Sequence, residues 1–226
     1  MKRLPAILAL AAPMLIGAAG VRAQQQATRK FVPVTDAMLR NPDPVNWMMW
    51  RRTLDSWGYS PLNQINRNNV GQLRVVWTRG LGPGTSQEAT PLVYDGVMYI
   101  PNPGDYIQAL DAKTGDLIWE YQRKLANPGR RATKRNIAIY GTNIIHTTSD
   151  NYLIALDTQT GKLSWETQIL DPSKPANASS GPIIANGKVI SGRARLRKPR
   201  RSSMTVSCTF QILAITFRHW TPRPAI

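Results

Sequence analysis

Short apolar runs recur along the middle of the chain, and turn-forming pairs interrupt them. The runs read PLVYDGVMYI at 91–100, IAIYGTNIIHTT at 137–148 and PIIANGKVI at 182–190. Asp95-Gly96 and Asn186-Gly187 divide two of these runs, and such pairs tolerate the positive φ that a two-residue hairpin requires. The pattern therefore predicts antiparallel hairpins rather than helices.

An internal repeat accompanies these hairpins. Residues 109–119 read ALDAKTGDLIW, and residues 155–165, 46 positions later, read ALDTQTGKLSW. A period of this length is typical of the four-stranded blades of β-propellers. In each copy we expect an aspartate to cap a turn, a glycine to supply its flexible position and a tryptophan to dock against the next unit. We assign these residues to folding rather than catalysis: Asp111, Gly115 and Trp119, then Asp157, Gly161 and Trp165.

The first 23 residues have the pattern of a secretory signal. Lys2 and Arg3 precede an apolar stretch at 6–19 that is short for a bilayer span, and Ala23 fits the end of a small-residue cleavage site. We therefore predict a signal peptide over 1–23, a mature chain beginning at Gln24 and a periplasmic location, with an uncleaved anchor as the alternative. The sequence after residue 23 predicts no stable membrane span.

The formal charge of +16 is unevenly distributed. Residues 191–226 hold eight Lys or Arg and no Asp or Glu, and three more basic residues lie within 1–23. A nucleic-acid partner would have to bind residues 191–226 alone, and we expect no such partner. The single cysteine, Cys208, lies in the same segment, so the sequence predicts no disulfide within 24–190.

Residues 191–226 also break the repeat pattern. When their possible codons are read in a shifted frame, they permit the residues of 81–116 in order; HWTPRPAI at 219–226, for example, permits LDAKTGD at 110–116. We interpret 191–226 as an out-of-frame second copy of the DNA for about residues 81–117, and predict a disordered tail. Sequencing the gene tests this: the DNA under 191–226 should repeat that under 81–117.

The repeat and the segment before it resemble the pyrroloquinoline quinone (PQQ)-dependent alcohol dehydrogenases. The twofold pattern A-x-D-x-x-T-G-x-x-x-W is similar to that family's tryptophan-docking motif, and the preceding segment, with Trp47, SPLNQIN at 60–66 and Trp77, is similar to the family's start. The resemblance covers roughly 30–190. It implies an eight-bladed β-propeller with PQQ and calcium on its axis. The predicted fold class is therefore all-β: a partial propeller of about three blades over 30–190, followed by an irregular tail over 191–226.

The resemblance also implies cofactor-binding residues. A planar tricarboxylated quinone needs cations and hydrogen-bond donors for its oxygens, and a Lewis acid to polarise its carbonyl. Glu88, Arg135 and Thr148 match family contacts to PQQ. Each also has a simpler interpretation: Glu88 as a solvated carboxylate, Arg135 as part of a solvated basic run that includes Lys134, and Thr148 as a strand-forming residue.

Some family features are missing from the sequence. No vicinal cysteine pair is present, and the glutamate expected as the first calcium ligand after 182–190 has no counterpart in 191–226. The resemblance places the catalytic aspartate and the other calcium ligands in later blades. We therefore expect an inactive fragment of a periplasmic PQQ- and calcium-dependent alcohol dehydrogenase, whose intact relatives use a small alcohol and an electron acceptor such as cytochrome c. The alternative is a non-enzymatic PQQ-repeat scaffold of the outer-membrane assembly type.

Overall fold

The computed structural model describes residues 30–81, 86–125, 133–171, 176–177, 179–196 and 208–216. The chain divides into the units Met1–Val32 and Pro33–Ile226, and every element below belongs to the second. The predicted signal peptide at 1–23 lies outside the described residues. Within the described ranges, helix α1 (Asp36–Arg40) has five residues and a 3-10 turn spans Val70–Gln72. No described helix is long and apolar enough to cross a membrane.

In the part of the chain that the structure describes, twelve strands form three antiparallel sheets, which confirms the all-β prediction. Blade 1 contains β1 (Leu92–Tyr94), β2 (Val97–Asn102), β3 (Tyr106–Asp111) and β4 (Leu117–Gln122). Blade 2 contains β5 (Ala138–Tyr140), β6 (Asn143–Thr147), β7 (Tyr152–Asp157) and β8 (Leu163–Gln168). In both, the strands pair in sequence order. Blade 3 contains β9 (Ala176–Asn177), β10 (Ile183–Ala185), β11 (Lys188–Leu196) and β12 (Cys208–Thr216). The described sheets do not close into a ring.

The predicted hairpin pairs adopt the backbone conformation that their residues favour. Asp95 and Gly96 have φ of 51° and 76°, and Asn186 and Gly187 have φ of 50° and 65°. Both residues of each turn are thus left-handed, as in the two-residue hairpin turns that match strand twist. These turns set the register that places Val97 opposite Tyr94 and Lys188 opposite Ala185.

The middle strands of the first two blades form the buried core. All five residues of β6 are buried, and the four central residues of both β3 and β7 are buried as well. The fourth strands, β4 and β8, are largely exposed by comparison. Burial of the apolar side chains stabilises the sheets by about 25 cal/mol for each Å² removed from water, and in blades 1 and 2 the fourth strand forms an exposed edge.

The repeated tryptophan docks one blade against the next, as predicted for Trp119. Its indole Nε1 donates to the Thr158 carbonyl at 2.8 Å, and its ring covers Gly161, which has φ of 68°. In the second copy of the repeat, which contains Gly161, the aspartate caps the turn, because the Asp157 carboxylate accepts from the backbone N–H of Gln159 and Thr160. The docking predicted for Trp165 stays a prediction.

The segment at 33–50, which we call the strap, joins the three blades. It contacts the first hairpin of each blade through the pairs Trp47–Val93, Val34–Gly141 and Asp36–Gly187. The first two are short backbone bridges, and in the third the Asp36 carboxylate accepts from the Gly187 N–H at 3.0 Å. The strap therefore links hairpins that are far apart in sequence.

β12 lies in the segment for which we predicted disorder, and the structure differs from that prediction there. β12 pairs antiparallel with the whole of β11, from Lys188 opposite Thr216 to Leu196 opposite Cys208. The sequence CTFQILAIT has no charged residue, Gly or Pro and is rich in β-branched residues, a composition that favours a strand over disorder. For 197–207 and 217–226, outside the described residues, the prediction stands as made.

Candidate functional site

Three backbone segments that precede β1, β5 and β10 are hydrogen-bonded side by side. The Thr90 N–H donates to the Arg135 carbonyl at 2.8 Å, and the Arg135 N–H donates to the Ser179 carbonyl at 2.9 Å. These residues occur 45 and 44 positions apart, close to the period of the repeat. Successive repeats thus bring equivalent segments together, with Arg135 in the middle.

Glu88 and Arg135, two of the three predicted site residues, form an ion pair. The Arg135 Nε lies 2.8 Å from Glu88 Oε2, and its Nη1 donates to the Ser179 hydroxyl at 2.7 Å. Both charged side chains are partly exposed, so the pair contributes little to stability, about 1 kcal/mol or less. The arrangement instead holds a guanidinium in a fixed orientation beside an accessible surface.

Thr148, the third predicted residue, is fully buried and bonds within its own turn. Its hydroxyl donates to the Asp150 carboxylate and accepts from the Tyr152 N–H at 2.9 Å. The Thr148 N–H donates to the Tyr152 carbonyl at 2.8 Å. No described hydrogen bond joins Thr148 to Glu88 or Arg135, so the structure brings together two of the three residues.

A buried polar cluster lies behind Arg135, at the junction of blades 1 and 2. The Asp105 carboxylate lies 3.0 Å from Lys134 Nζ and 3.0 Å from His146 Nε2, and it accepts from the Ser149 N–H at 2.6 Å. Lys134 Nζ also donates to the Thr147 carbonyl at 2.9 Å. Because Lys134 is next to Arg135 in sequence, this cluster fixes the backbone from which the Arg135 side chain projects.

The electrostatics of this cluster favour the ionised carboxylate. Burial alone would raise the pKa of Asp105, but the hydrogen bond with His146 and the charge of Lys134 together hold that pKa below its ordinary value of 3.8. Lys134 has only 2% of its side chain exposed. The expectation that Lys134 belongs to a solvated basic run is therefore wrong.

Sequence reasoning did not find Asp105, His146 or Ser179. Asp105 and Lys134 are 29 residues apart and lie in different repeats, so no local spacing relates them. Ser179 could have been found by aligning it with Arg135 one repeat earlier, because the two residues lie shortly before the equivalent strands β10 and β5. No such signal exists for the buried cluster.

The site's donor groups fit one side of an anionic, oxygen-rich planar ligand. The Arg135 guanidinium and the Ser179 hydroxyl supply hydrogen-bond donors, and guanidinium groups bind carboxylates in a planar, two-point geometry. Within the described residues no group of three or more His, Cys, Asp or Glu side chains could hold a metal ion.

The sequence matches a known protein family over most of the described blades. The family model described as "PQQ: Glucose/ethanol/alcohol dehydrogenase, beta-propeller domain" matches residues 47–206. The chain belongs to this PQQ β-propeller family. The match includes all of blades 1 and 2 and extends past residue 190, where we placed the end of the propeller.

Individual quinone and quinohemoprotein alcohol dehydrogenases are similar to parts of this chain. The dehydrogenase subunit of the quinone alcohol dehydrogenase of Gluconacetobacter polyoxogenes is 47% identical over 91 residues, covering 40% of this chain and 12% of that protein. The quinohemoprotein alcohol dehydrogenase ADH-IIG of Pseudomonas putida is 33% identical over 189 residues, covering 81% of this chain and 26% of that protein. The chain thus spans about a quarter or less of either relative's length.

A solved structure supports the same family at the level of the fold. The quinohemoprotein alcohol dehydrogenase ADHIIG from Pseudomonas putida HK5 superimposes with a TM-score of 0.68 and 35% sequence identity, over 73% of this chain and 25% of that one. The described PQQ β-propeller blades therefore have the arrangement found in a quinohemoprotein dehydrogenase.

Proposed function

We propose that Glu88, Arg135 and Ser179 form one side of a PQQ-binding site in the first blades of a periplasmic alcohol dehydrogenase. The observation that carries the proposal is the Arg135 side chain, held between Glu88 and Ser179 where three successive blades meet. Family membership supports the identity of the cofactor. When bound in such an enzyme, PQQ supplies the two-electron oxidant and calcium the Lewis acid.

The residues of this chain would bind and orient the cofactor. Arg135 would donate hydrogen bonds to the carboxylate or quinone oxygens of PQQ. The buried Asp105–Lys134 pair would keep the backbone of Arg135 in place. Glu88 would set the direction of the guanidinium through its 2.8 Å contact with Nε. Thr148 is proposed as a weaker contact than Arg135, because its hydroxyl is already engaged by its own turn.

The chain by itself is proposed to bind PQQ without oxidising alcohols. Residues 191–226 contain no Asp or Glu, so they supply neither the calcium-ligand glutamate nor a carboxylate base. In the whole enzyme we propose a small alcohol as substrate, calcium as the metal and an electron acceptor such as cytochrome c. A non-enzymatic scaffold would share the blades but would not bind PQQ.

A PQQ titration tests the proposal. Equilibrium dialysis of the 226-residue chain against PQQ, at raised ionic strength to suppress binding to the basic segment 191–226, should give saturable binding. Arg135→Leu should weaken it at least about tenfold, the loss expected for a charge-assisted hydrogen bond of about 1.5–3 kcal/mol. Arg67→Leu, at an exposed arginine, is the matched control and should leave the affinity unchanged.

Two outcomes would contradict the proposal. Equal weakening by Arg135→Leu and Arg67→Leu would mean that PQQ is attracted only by net charge. Dye-linked alcohol oxidation by the chain after addition of PQQ and calcium would mean that the catalytic groups are present, contrary to the expected inactivity.

A further inference from the structure

The hairpin turn of blade 3 contains an asparagine that is followed by glycine, Asn186-Gly187, and this pair occurs nowhere else in the sequence. Asparagine amides are chemically labile, because the backbone nitrogen of the next residue can attack the side-chain carbonyl carbon. A side chain on that next residue hinders the attack, and Gly187 has none. Asn186 is exposed, and even a Cβ added to Gly187 would meet no atom closer than 3.6 Å. The turn therefore has the residues and the room for this reaction.

Helix α1 of the strap contacts both groups that would react. The Gly187 N–H, which contains the attacking nitrogen, donates to the Asp36 carboxylate at 3.0 Å. The Asn186 Oδ1, on the carbon that would be attacked, accepts from Arg40 Nη1 at 3.3 Å. Asp36 and Arg40 are the first and last residues of the helix. The chemistry of the turn thus depends on whether the strap is bound to blade 3.

The contact with Asp36 opposes the reaction. Attack requires the Gly187 nitrogen to lose its proton and to approach the Asn186 side chain, whereas the hydrogen bond directs its N–H toward Asp36. The carboxylate charge also disfavours the negative charge that forms on this nitrogen. The left-handed backbone at both turn positions, with φ of 50° and 65°, is held by the paired strands β10 and β11. Arg40 polarises the Asn186 carbonyl and so favours attack, which leaves Asp36 and the turn itself as the protecting features.

We propose that Asn186 is a site of spontaneous deamidation that is protected while Asp36 is bound and reacts when the strap leaves blade 3. The Gly187 nitrogen forms a bond to Asn186 Cγ, and the Cγ–Nδ2 bond breaks. Ammonia leaves with the proton that the Gly187 nitrogen gives up, and a succinimide ring remains. Water then opens the ring, giving aspartate when it adds to the side-chain carbonyl and isoaspartate when it adds to the backbone carbonyl. The proposal does not depend on PQQ binding.

The isoaspartate product prevents the strap from binding again. Its main chain passes through the former side chain of Asn186, which inserts an additional carbon atom into the turn. A two-residue turn has a backbone geometry matched to the twist of its strands, so the extra atom displaces the Gly187 N–H from Asp36. Each opening in which Asn186 reacts in this way therefore becomes permanent, and blade 3 loses its link to the strap.

The rate of amide loss at Asn186 tests the proposal. The 226-residue chain and its variants are incubated at neutral pH, and peptide mass spectrometry measures loss of the Asn186 amide with time. Asp36→Ala should react at least about tenfold faster than the wild type, because loss of a hydrogen bond to a charged group raises the open population by such a factor. Asp43→Ala, elsewhere in the strap, is the matched control and should react like the wild type. The wild-type chain unfolded in guanidinium chloride should react at least as fast as Asp36→Ala.

Hydrogen exchange separates opening of the strap from general unfolding. Exchange of the Gly187 amide and loss of the Asn186 amide should accelerate by similar factors in Asp36→Ala, because both need the open strap. Gly161→Ala, which places a side chain against Trp119, weakens the contact between blades 1 and 2 and should leave both rates unchanged. Equal acceleration by Gly161→Ala, or amide loss without faster exchange, would overturn the proposal. Equal rates of amide loss in the folded and unfolded wild-type chain, or no loss at Asn186 in either, would overturn it as well.

Discussion

The ring of Trp119 fills the space in which a side chain on Gly161 would lie. A Cβ built on Gly161 would stand 2.5 Å from Trp119 Cε3, well inside van der Waals contact, and the residue has φ of 68°. Both the close approach and the left-handed backbone therefore require glycine at this position.

Replacing Gly161 with alanine is expected to destabilise the contact between blades 1 and 2. The left-handed backbone costs about 1–2 kcal/mol for a residue with a Cβ, and displacing a packed indole costs about 1–3 kcal/mol. Urea denaturation followed by tryptophan fluorescence should therefore show a loss of about 2–5 kcal/mol. Gly71→Ala is the matched control, because a Cβ there would meet no atom within 4 Å. Equal effects of the two substitutions would contradict this account.

The buried polar cluster around Asp105 is expected to make the junction between blades 1 and 2 sensitive to acid. Asp105→Asn leaves Lys134 buried beside a neutral partner, and breaking a buried ion pair in this way costs about 3–5 kcal/mol. Asp116→Asn, at an exposed aspartate, should change the free energy of unfolding by no more than about 0.5 kcal/mol.

The pH dependence of stability provides the second measurement of this cluster. The pKa of Asp105 is lower in the folded protein than its ordinary value of 3.8. Its contribution is therefore fully present above that value and is lost as the pH falls through the lower folded pKa. The wild-type chain should lose stability below pH 4 more steeply than Asp105→Asn. Parallel pH profiles would show that Asp105 does not titrate as described.

Arg123 is expected to need its guanidinium group and not merely its charge. Its Nε lies 2.9 Å from the Asp150 carboxylate, its Nη1 lies 2.7 Å from Glu166, and its guanidinium lies over the Tyr152 ring at 4.8 Å. Burial would lower the pKa of Arg123, but its hydrogen bonds to Glu166 and Asp150 outweigh burial and raise that pKa. Lysine cannot make both contacts.

Arg123→Lys should therefore lower the free energy of unfolding by about 1–2 kcal/mol, the loss of one charge-assisted hydrogen bond and part of a cation–π contact. The same substitution at the exposed Arg67 serves as the control and should have almost no effect. Denaturant midpoints measured in low and high salt check the prediction, because a partly buried network should be less sensitive to salt than surface pairs. A loss confined to low salt would indicate surface attraction only.

The sequence predicted the parts of this fold that repeat and missed those that connect repeats. Asp95-Gly96 and Trp119 were predictable because their conformational and packing requirements are local or recur every blade. The burial of Lys134 was not predictable, because it depends on Asp105, which lies in another blade. β12 was not predicted because the repeat pattern is absent around it, and its uncharged composition, rich in β-branched residues, is the only local signal for a strand.

The candidate site was likewise predictable only in part. Glu88 and Arg135 were predicted from resemblance alone, and their direct contact depends on backbone pairing between segments 45 residues apart. Ser179, which orients Arg135 from the third blade, is related to Arg135 in the sequence only by its position in the repeat, 44 residues later. Thr148 was also predicted from the resemblance, but its hydroxyl is already bonded within its own turn.

The strap is expected to hold blades 2 and 3 together through Asp36. Its carboxylate accepts from the Gly187 N–H at 3.0 Å and from the Tyr140 hydroxyl at 3.1 Å. Asp36→Ala removes both acceptors and should cost about 1–3 kcal/mol. Asp43→Ala is the matched control in the same strap, since that carboxylate accepts only from the Val45 N–H two residues away among described contacts.

Two local measurements separate this role of Asp36 from general destabilisation. Burial and then the Asp36 carboxylate raise the pKa of Tyr140, so ultraviolet titration should show a lower pKa for Tyr140 in Asp36→Asn, which is neutral but nearly isosteric. Hydrogen exchange of the Gly187 amide should accelerate in Asp36→Ala and not in Asp43→Ala, because only the first loses its acceptor. If Asp43→Ala accelerated that amide equally, the strap would act as a whole and Asp36 would not be the link between the hairpins.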